Sequence, residues 1–283
     1  MQPDLVGHRG ARGLFPENTV EGFRAALKWG LTAFEIDVAL TRDGVVVLSH
    51  DPRLNPDITR APDGFWLDGP GPSIAGSTLT ELQAYDVGRI RPGSETATRF
   101  PHQAASDGAR IPTLAEVLRL DAEARWTIEI KTFPLQPALT ARPETIAEQI
   151  AAVADEAEAT GRITVQSFDW RGPRHLRRRR PDLRYAWLTC AATSGAVWWD
   201  TPPAATWPEA VAAAGGGTWS PDHTELTRSD LDAAHRLGLR VVPWTVNDAA
   251  DACRLAGWSV DGLITDRPDA LRDALRPRSS PAR

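Results

Sequence analysis

A chain of 283 residues with 32 Lys plus Arg against 37 Asp plus Glu, and a formal net charge of -5, has length for one large domain with a substantial core. It carries no overall basic field to recruit nucleic acid or an anionic lipid surface, so a partner is to be sought in a local site. The two cysteines, Cys190 and Cys253, lie far apart, with neither a metal-type spacing nor a disulfide framework.

From Met1-Gln2-Pro3-Asp4 the chain passes directly into a strand-like run at Leu5, without the charged and apolar regions of a signal peptide. No apolar stretch approaches the roughly 20 residues needed to cross a bilayer. A cytoplasmic protein without an integral membrane segment is therefore expected. Leu5-Val6-Gly7 leads to His8-Arg9-Gly10, and Asn18 or Thr19 can cap a helix whose apolar face is Val20, Phe23, Ala26 and Leu27. A strand over 33–40 follows. Asp43-Gly44 then turns the chain into a second extended run, 45–48, which delivers Ser49-His50-Asp51 and signals a hairpin.

Residues 52–110 change character: Pro and Gly are frequent, aromatics are scattered, and one helix is expected, over 79–85. The segment reads as an insertion packed over the scaffold, because long irregular stretches in compact domains usually serve a function. Alternation then resumes. Helices are expected over 113–121, 143–159, 172–180, 205–214, 229–237, 249–256 and 268–275, and strands over 126–133, 163–168, 184–189, 218–220, 240–246 and 262–265. Treating 45–48 as an extension of the second strand gives eight strands, the signature of a (β/α)8 TIM barrel occupying residues 1–275, with a disordered tail over 276–283. A doubly wound open sheet is the alternative, but no glycine-rich dinucleotide loop supports it.

The chemistry centres on Glu35-Ile36-Asp37. Side chains alternate along a strand, so two carboxylates at i and i+2 share one face. Alone, such a pair reads equally well as a strand end facing water or an Arg and as half of a metal site. In a barrel, however, the C-terminal strand ends converge on one rim. That rim would gather His8 and Arg9, Glu35 and Asp37, His50, Glu129 and Lys131, Gln166 and Ser167, Trp244 and Asn247, and Thr265 and Asp266. This convergence favours a site. Three carboxylates, Glu35, Asp37 and Glu129, suit a hard divalent cation such as Ca²⁺ or Mg²⁺, although zinc ligation by the histidines is a second option. Arg9 and Lys131 then offer cations for a phosphate, and His8 and His50 a pair for proton transfer around a phosphodiester.

The ordered set His8-Arg9-Gly10, Pro16-Glu17-Asn18-Thr19, Glu35-Ile36-Asp37, Asp43-Gly44, His50-Asp51, Glu129-Ile130-Lys131, Gln166-Ser167-Phe168 and Trp244-Thr245-Val246-Asn247 resembles the glycerophosphodiester phosphodiesterase family. The resemblance implies a TIM barrel with an insertion after the second strand, and hydrolysis of a glycerophosphodiester to glycerol 3-phosphate and an alcohol. It implies one divalent ion, Ca²⁺ or Mg²⁺, on Glu35, Asp37 and Glu129, with His8 and His50 as the acid/base pair. Arg9 and Lys131 would bind phosphate, and Glu17, Asn18, Gln166 and Trp244 would support the site. Related phospholipase D toxins share the fold and paired histidines, so action on lysolipids or a cyclising reaction is the alternative. Trp198, Trp199 and Trp207 are expected either to line an apolar wall for a lysolipid tail or to cover the outside of the barrel. The run 177–180 reads as a solvated Arg-rich helix.

Overall fold

The computed structural model describes residues 2–199 and 206–276. Its strands are β1 (Asp4–His8), β2 (Ala33–Leu40), β3 (Val46–Leu48), β4 (Arg125–Ile130), β5 (Ile163–Ser167), β6 (Arg184–Thr189), β7 (Thr218–Pro221), β8 (Arg240–Val241) and β9 (Gly262–Thr265). All but β3 run parallel, in the order β8-β7-β6-β5-β4-β2-β1-β9. The two ends of this row meet. The amides of Asp261 and Ile264 donate to the carbonyls of Val241 and Pro243 at 2.9 and 3.0 Å, and the Val246 amide donates to the Ile264 carbonyl at 2.8 Å. Eight parallel strands thus form the expected TIM barrel, in which closure removes the exposed sheet edges.

The expected hairpin is present: β3 lies antiparallel to β2, pairing Val38 with Leu48 and Leu40 with Val46. Its turn passes through Gly44 at φ +80, a left-handed conformation that glycine adopts without a Cβ clash. The β2 strand is buried along its whole length because it has packing on both faces. Phe34, Ile36 and Val38 face the surrounding helices, leaving Ala33, Glu35 and Asp37 to the barrel interior. Phe34 stacks on Trp126 at 4.9 Å, and Phe23 meets both rings edge-on. Phe23 comes from helix Val20–Lys28, whose first turn is capped by the Thr19 hydroxyl accepting from the Gly22 amide at 3.0 Å. Gly22 is needed there, since a Cβ would stand 2.3 Å from the Pro16 carbonyl oxygen.

Residues 52–110 build a small core of their own, in which Leu54, Ile74, Leu82 and Val87, joined by Ile111, pack on Ala39 and Val47 of the hairpin. The helix expected over 79–85 is shorter, Leu79–Leu82, opened by a Thr78/Glu81 capping box. A second short helix, Glu95–Arg99, escaped the sequence pattern because none of its residues is buried, so it has no apolar periodicity. Regular pairing in the seventh barrel strand stops at Val241 instead of continuing to residue 246: Pro221 of β7 has no N–H to give the Val242 carbonyl, and the amides of Val242 and Trp244 still donate to Trp219 and Pro221. The helix expected over 205–214 is described as Trp207–Ala214, and residue 205 lies outside the described residues, as does the tail beyond residue 276. No helix among the described residues is long and apolar enough to cross a membrane.

The Phe34 cluster couples β2 to its covering helix, so its loss should loosen the strand that carries two of the site carboxylates. Phe34→Ala is expected to lower unfolding free energy by about 3–5 kcal/mol, the usual range for removing a buried aromatic ring. Urea denaturation checks this, and a loss below about 1 kcal/mol would contradict the assigned packing.

Candidate active site

Strand register assembles the site. His8 lies opposite Glu35 across β1 and β2, Asp37 opposite Glu129 across β2 and β4, and Glu129 opposite Gln166 across β4 and β5. Inward-facing positions of four neighbouring strands therefore meet at the C-terminal rim. A cleft of about 240 Å³ opens there, lined by His8, Arg9, Glu35, His50, Glu129, Lys131, Gln166 and Trp244 among others. Asp37 is fully buried behind it, while Glu17 and Asn18 flank an adjoining recess that also reaches His50. All eleven residues expected at the site thus sit at this end of the barrel.

Glu35, Asp37 and Glu129 are buried and each presents a carboxylate oxygen within 4.8 Å of the others. Burial, with Asp37 and Glu129 alongside, pushes the Glu35 carboxyl well above its ordinary range. Burial likewise raises Glu129, against the pull of Lys131. For Asp37 burial also acts upward, but Arg9, His50 and Lys131 overrule it and hold the group far below the usual carboxylate range. The result is a buried acidic cluster that carries one strongly held charge and two strained ones. Two buried oxygens there, Asp37 Oδ1 and Gln166 Oε1, accept no hydrogen bond among the described residues, although Lys131 Nζ faces the first at 3.6 Å. Orphaned acceptors beside crowded carboxylates are the donor set of a hard cation, so these residues fit a divalent metal.

The cations around the triad are fixed. Arg9 reaches Glu17 at 3.0 Å through Nη1 and Asp37 at 3.2 Å through Nε, and its amide donates to Glu35 at 3.4 Å. Lys131 Nζ lies 2.8 Å from Glu129 and 3.6 Å from Asp37. Asn18, left-handed at φ +51, donates its Nδ2 to Asp37 at 3.0 Å, which explains a residue type that tolerates this backbone at this point.

The histidines have different surroundings. His8 Nδ1 stands 2.6 Å from Asp266, and its Nε2 faces Glu35 at 3.8 Å. Burial pushes the His8 imidazole down to about 4, against the pull of Asp266, so the ring is neutral at pH 7. Burial acts upward on Asp266, but His8 and Arg12 hold its carboxyl far below the ordinary range. An ionised carboxylate only accepts, so the ring proton belongs on Nδ1 and Nε2 keeps its lone pair. His50, about one-third exposed, lies 2.8 Å from Asp51, which Asn55 fixes in turn through a 2.9 Å bond.

Asp266, Arg12, Asp51 and Arg99 were not assigned roles from the sequence. Arg12 contacts Asp266 at 2.7 Å, and Arg99, from residues 52–110, reaches Asp266 at 3.7 Å. Asp266 was visible as the end of the last strand, but its partner lies 258 positions away, and no local spacing could join them. Arg99 belongs to the short helix without an apolar face. Asp51 alone carried a signal, the adjacency His50-Asp51.

The tryptophans resolve against an apolar cleft wall. Trp199 is buried, stacked on Trp170 at 5.2 Å and edge-on to Trp207 at 4.5 Å, and Trp170 meets Trp187 in the helical layer. None of Trp198, Trp199 and Trp207 lines the cleft, whose apolar side is Phe168, Leu188, Trp244 and Ile264. The sequence left both options open, and the indoles go to the outside, where Trp170, itself packed on the outward Trp187 of β6, gives Trp199 a stacking partner.

A parallel barrel bearing an acidic triad, two cations and two histidines on its C-terminal rim defines an enzyme equipped for chemistry at a phosphate. The chain belongs to the glycerophosphoryl diester phosphodiesterase family, whose model matches residues 8–270. A glycerophosphodiester phosphodiesterase of Caldanaerobacter subterraneus is 29% identical over 280 residues, covering 98% of this chain and 99% of its own. The Bacillus subtilis protein YhdW is 30% identical over 268 residues, 94% of this chain and 96% of its own. Among solved structures, one from Silicibacter pomeroyi superposes with a TM-score of 0.90 at 35% identity, over 97% of this chain and 93% of that one. An Oleispira antarctica phosphodiesterase in complex with the product sn-glycerol-3-phosphate matches in fold, with a TM-score of 0.75 at 22% identity over 98% of each chain.

Because burial and the neighbouring carboxylates raise Glu35 well above its ordinary range, a cation entering the triad competes with a proton for that group. Metal affinity should therefore rise as pH rises and fall as protons reclaim the carboxyl. Titration calorimetry of Mg²⁺ and Ca²⁺ in buffers of different ionisation enthalpy should detect the released proton. Affinity independent of pH between 5 and 8 would contradict it, and Asp37→Asn should weaken binding at least about tenfold.

Proposed function

We propose that the protein hydrolyses glycerophosphodiesters to glycerol 3-phosphate and an alcohol by in-line attack at phosphorus, with residues 1–275, including 52–110, acting as one catalytic unit. The observation that carries this reading is the convergence of the triad with Arg9, Lys131, His8 and His50 on one cleft. The product bound by the Oleispira relative agrees with it in substrate class.

Glu35, Asp37 and Glu129 would hold one divalent ion, Ca²⁺ or Mg²⁺, which when bound offsets negative charge on the phosphoryl oxygens. Arg9 and Lys131 stand at the same wall and orient the phosphate, the guanidinium being held in place by Glu17 and Asp37. His8 and His50 divide the proton work: one accepts from the attacking water, the other donates to the departing alkoxide. Asp266 keeps the His8 proton on Nδ1 and leaves Nε2 to the substrate, and Asp51 orients His50 by the same logic. Asn18 and Gln166 hold Asp37 and Glu35 in place through 3.0 and 3.1 Å bonds.

A second reading, action on lysolipids, draws on the apolar flank of Phe168, Leu188, Trp244 and Ile264, which suits either the C–H faces of glycerol or the start of an alkyl chain. Release assays with glycerophosphocholine and lysophosphatidylcholine separate the two. Turnover of the deacylated diester alone is expected, and preferential turnover of the lysolipid would transfer the function to that class. Phosphorus NMR of the product should show a monoester; a cyclic phosphate as the end product would make the enzyme a lyase.

His8→Ala and His50→Ala should each lower kcat by about 10² or more, as expected for loss of a positioned acid or base, with an unchanged circular dichroism spectrum. Excess EDTA should abolish turnover, and Mg²⁺ or Ca²⁺ should restore it. Wild-type rates in either histidine variant, or full activity in EDTA, would overturn the mechanism.

A further inference from the structure

The barrel has a second cavity, at the opposite end from the catalytic cleft. In most such barrels bulky branched residues fill the interior in layers. Here six of the lining positions toward the N-terminal ends of the strands are small, Ala33, Thr127, Thr164, Ala186, Thr218 and Gly262, with the branched Val6, Val242 and Ile264 beside them. The space they leave is about 370 Å³, within the roughly 300–1,000 Å³ of small-molecule sites. Gln166 and Ile264 line both this cavity and the catalytic cleft, and so form the partition between them.

Its mouth is strongly basic in a chain of net charge -5. Five arginines line it, Arg125, Arg162, Arg177, Arg184 and Arg240, against one carboxylate, Asp4. Asp4 is shared between Arg125 at 3.1 Å and Arg240 at 3.5 Å, and Arg240 also lies 3.8 Å from Asp261. Arg162 and Arg184 bond backbone carbonyls, which leaves their charge uncompensated. Arg177 makes no hydrogen bond or ion pair among the described residues, and lies over Gly215, where a Cβ would strike its guanidinium carbon at 2.2 Å. Inside, the hydroxyls of Thr127, Thr164 and Thr218 form no hydrogen bond among the described residues.

We infer that this cavity binds a phosphate monoester of a small polyol, its phosphate held by the arginine mouth and its hydroxyls by the Thr127, Thr164 and Thr218 ring. Guanidinium groups match phosphate oxygens in charge and geometry, and a basic mouth with low-dielectric walls concentrates anions. An alkyl chain would strand the three threonine hydroxyls without partners, which disfavours a fatty acid. Inorganic phosphate would satisfy the arginines and leave the hydroxyl ring unused.

Titration calorimetry on the full chain tests this, with glycerol 3-phosphate, inorganic phosphate and dodecanoate as probes. Two variants carry the test: Thr164→Leu, which fills the cavity, and Arg177→Ala/Arg184→Ala, which alters two exposed side chains. Glycerol 3-phosphate binding at a site weakened at least tenfold in both variants, with glycerophosphocholine turnover unchanged, is the expected result. Equal affinity in wild type and the arginine variant would overturn it, whether or not Thr164→Leu folds. So would tighter binding of dodecanoate, or inorganic phosphate binding as well as the ester. Turnover is read separately, so an inactive catalytic cleft leaves this outcome distinct.

Discussion

The constraint on which the rest depends is that Glu35 and Asp37 face inward from one strand, with Glu129 opposite Asp37 on the next. Strand periodicity allows no other arrangement once Ile36 is committed to the hydrophobic side. Three carboxylates within 4.8 Å in a buried place repel one another, and desolvation makes each charge harder to hold. The surrounding residues answer that problem: Arg9 and Lys131 bring positive charge, and Asn18 and Gln166 bring donors. What they leave unanswered, the raised Glu35 and the unbonded Gln166 oxygen, is the part of the balance that a cation completes.

The same logic of compensation extends outward. Asp266 is fully buried, yet it remains ionised because His8, Arg12 and Asn247 all turn toward it. Its charge in turn selects the His8 tautomer. Arg12 also approaches Glu17, which binds Arg9, so the acidic triad and the histidine belong to one connected polar network. Networks of this kind are stiff when fully satisfied and damaging when broken, so substitutions at Arg12 or Glu17 act on groups they do not touch.

Most of the barrel was legible in the sequence because each element carries its own signal: period-two alternation, caps, and Asp-Gly at the hairpin. The residues expected at the site were legible for a related reason, since each ends a strand and barrel topology sends strand ends to one rim. The Asp266–His8 and Arg99–Asp266 contacts were not legible. The first joins the first and last barrel strands, and the second comes from a solvated helix whose sequence has no periodic signature. The lower cavity was equally hidden: Ala, Thr and Gly at inward positions look unremarkable in a sequence until closure makes them face one another. The Arg-rich run fared in between: residues 177–179 are exposed as expected, but the helix ends at Arg177, Arg180 is held by Asp155 and Asp182, and Arg177 stands at the mouth of that cavity.

Barrel closure also has a temporal meaning. Of the barrel strands β1 is made first and β9 last, yet the two are neighbours, with β2 on the other side of β1. Until residues 262–265 emerge, β1 presents an unpaired edge, and His8 lacks Asp266. The chain therefore joins His8 to Asp266 in the same event that seals its sheet. An open β1 edge is a template on which misassociation can begin, and pairing with β9 removes it.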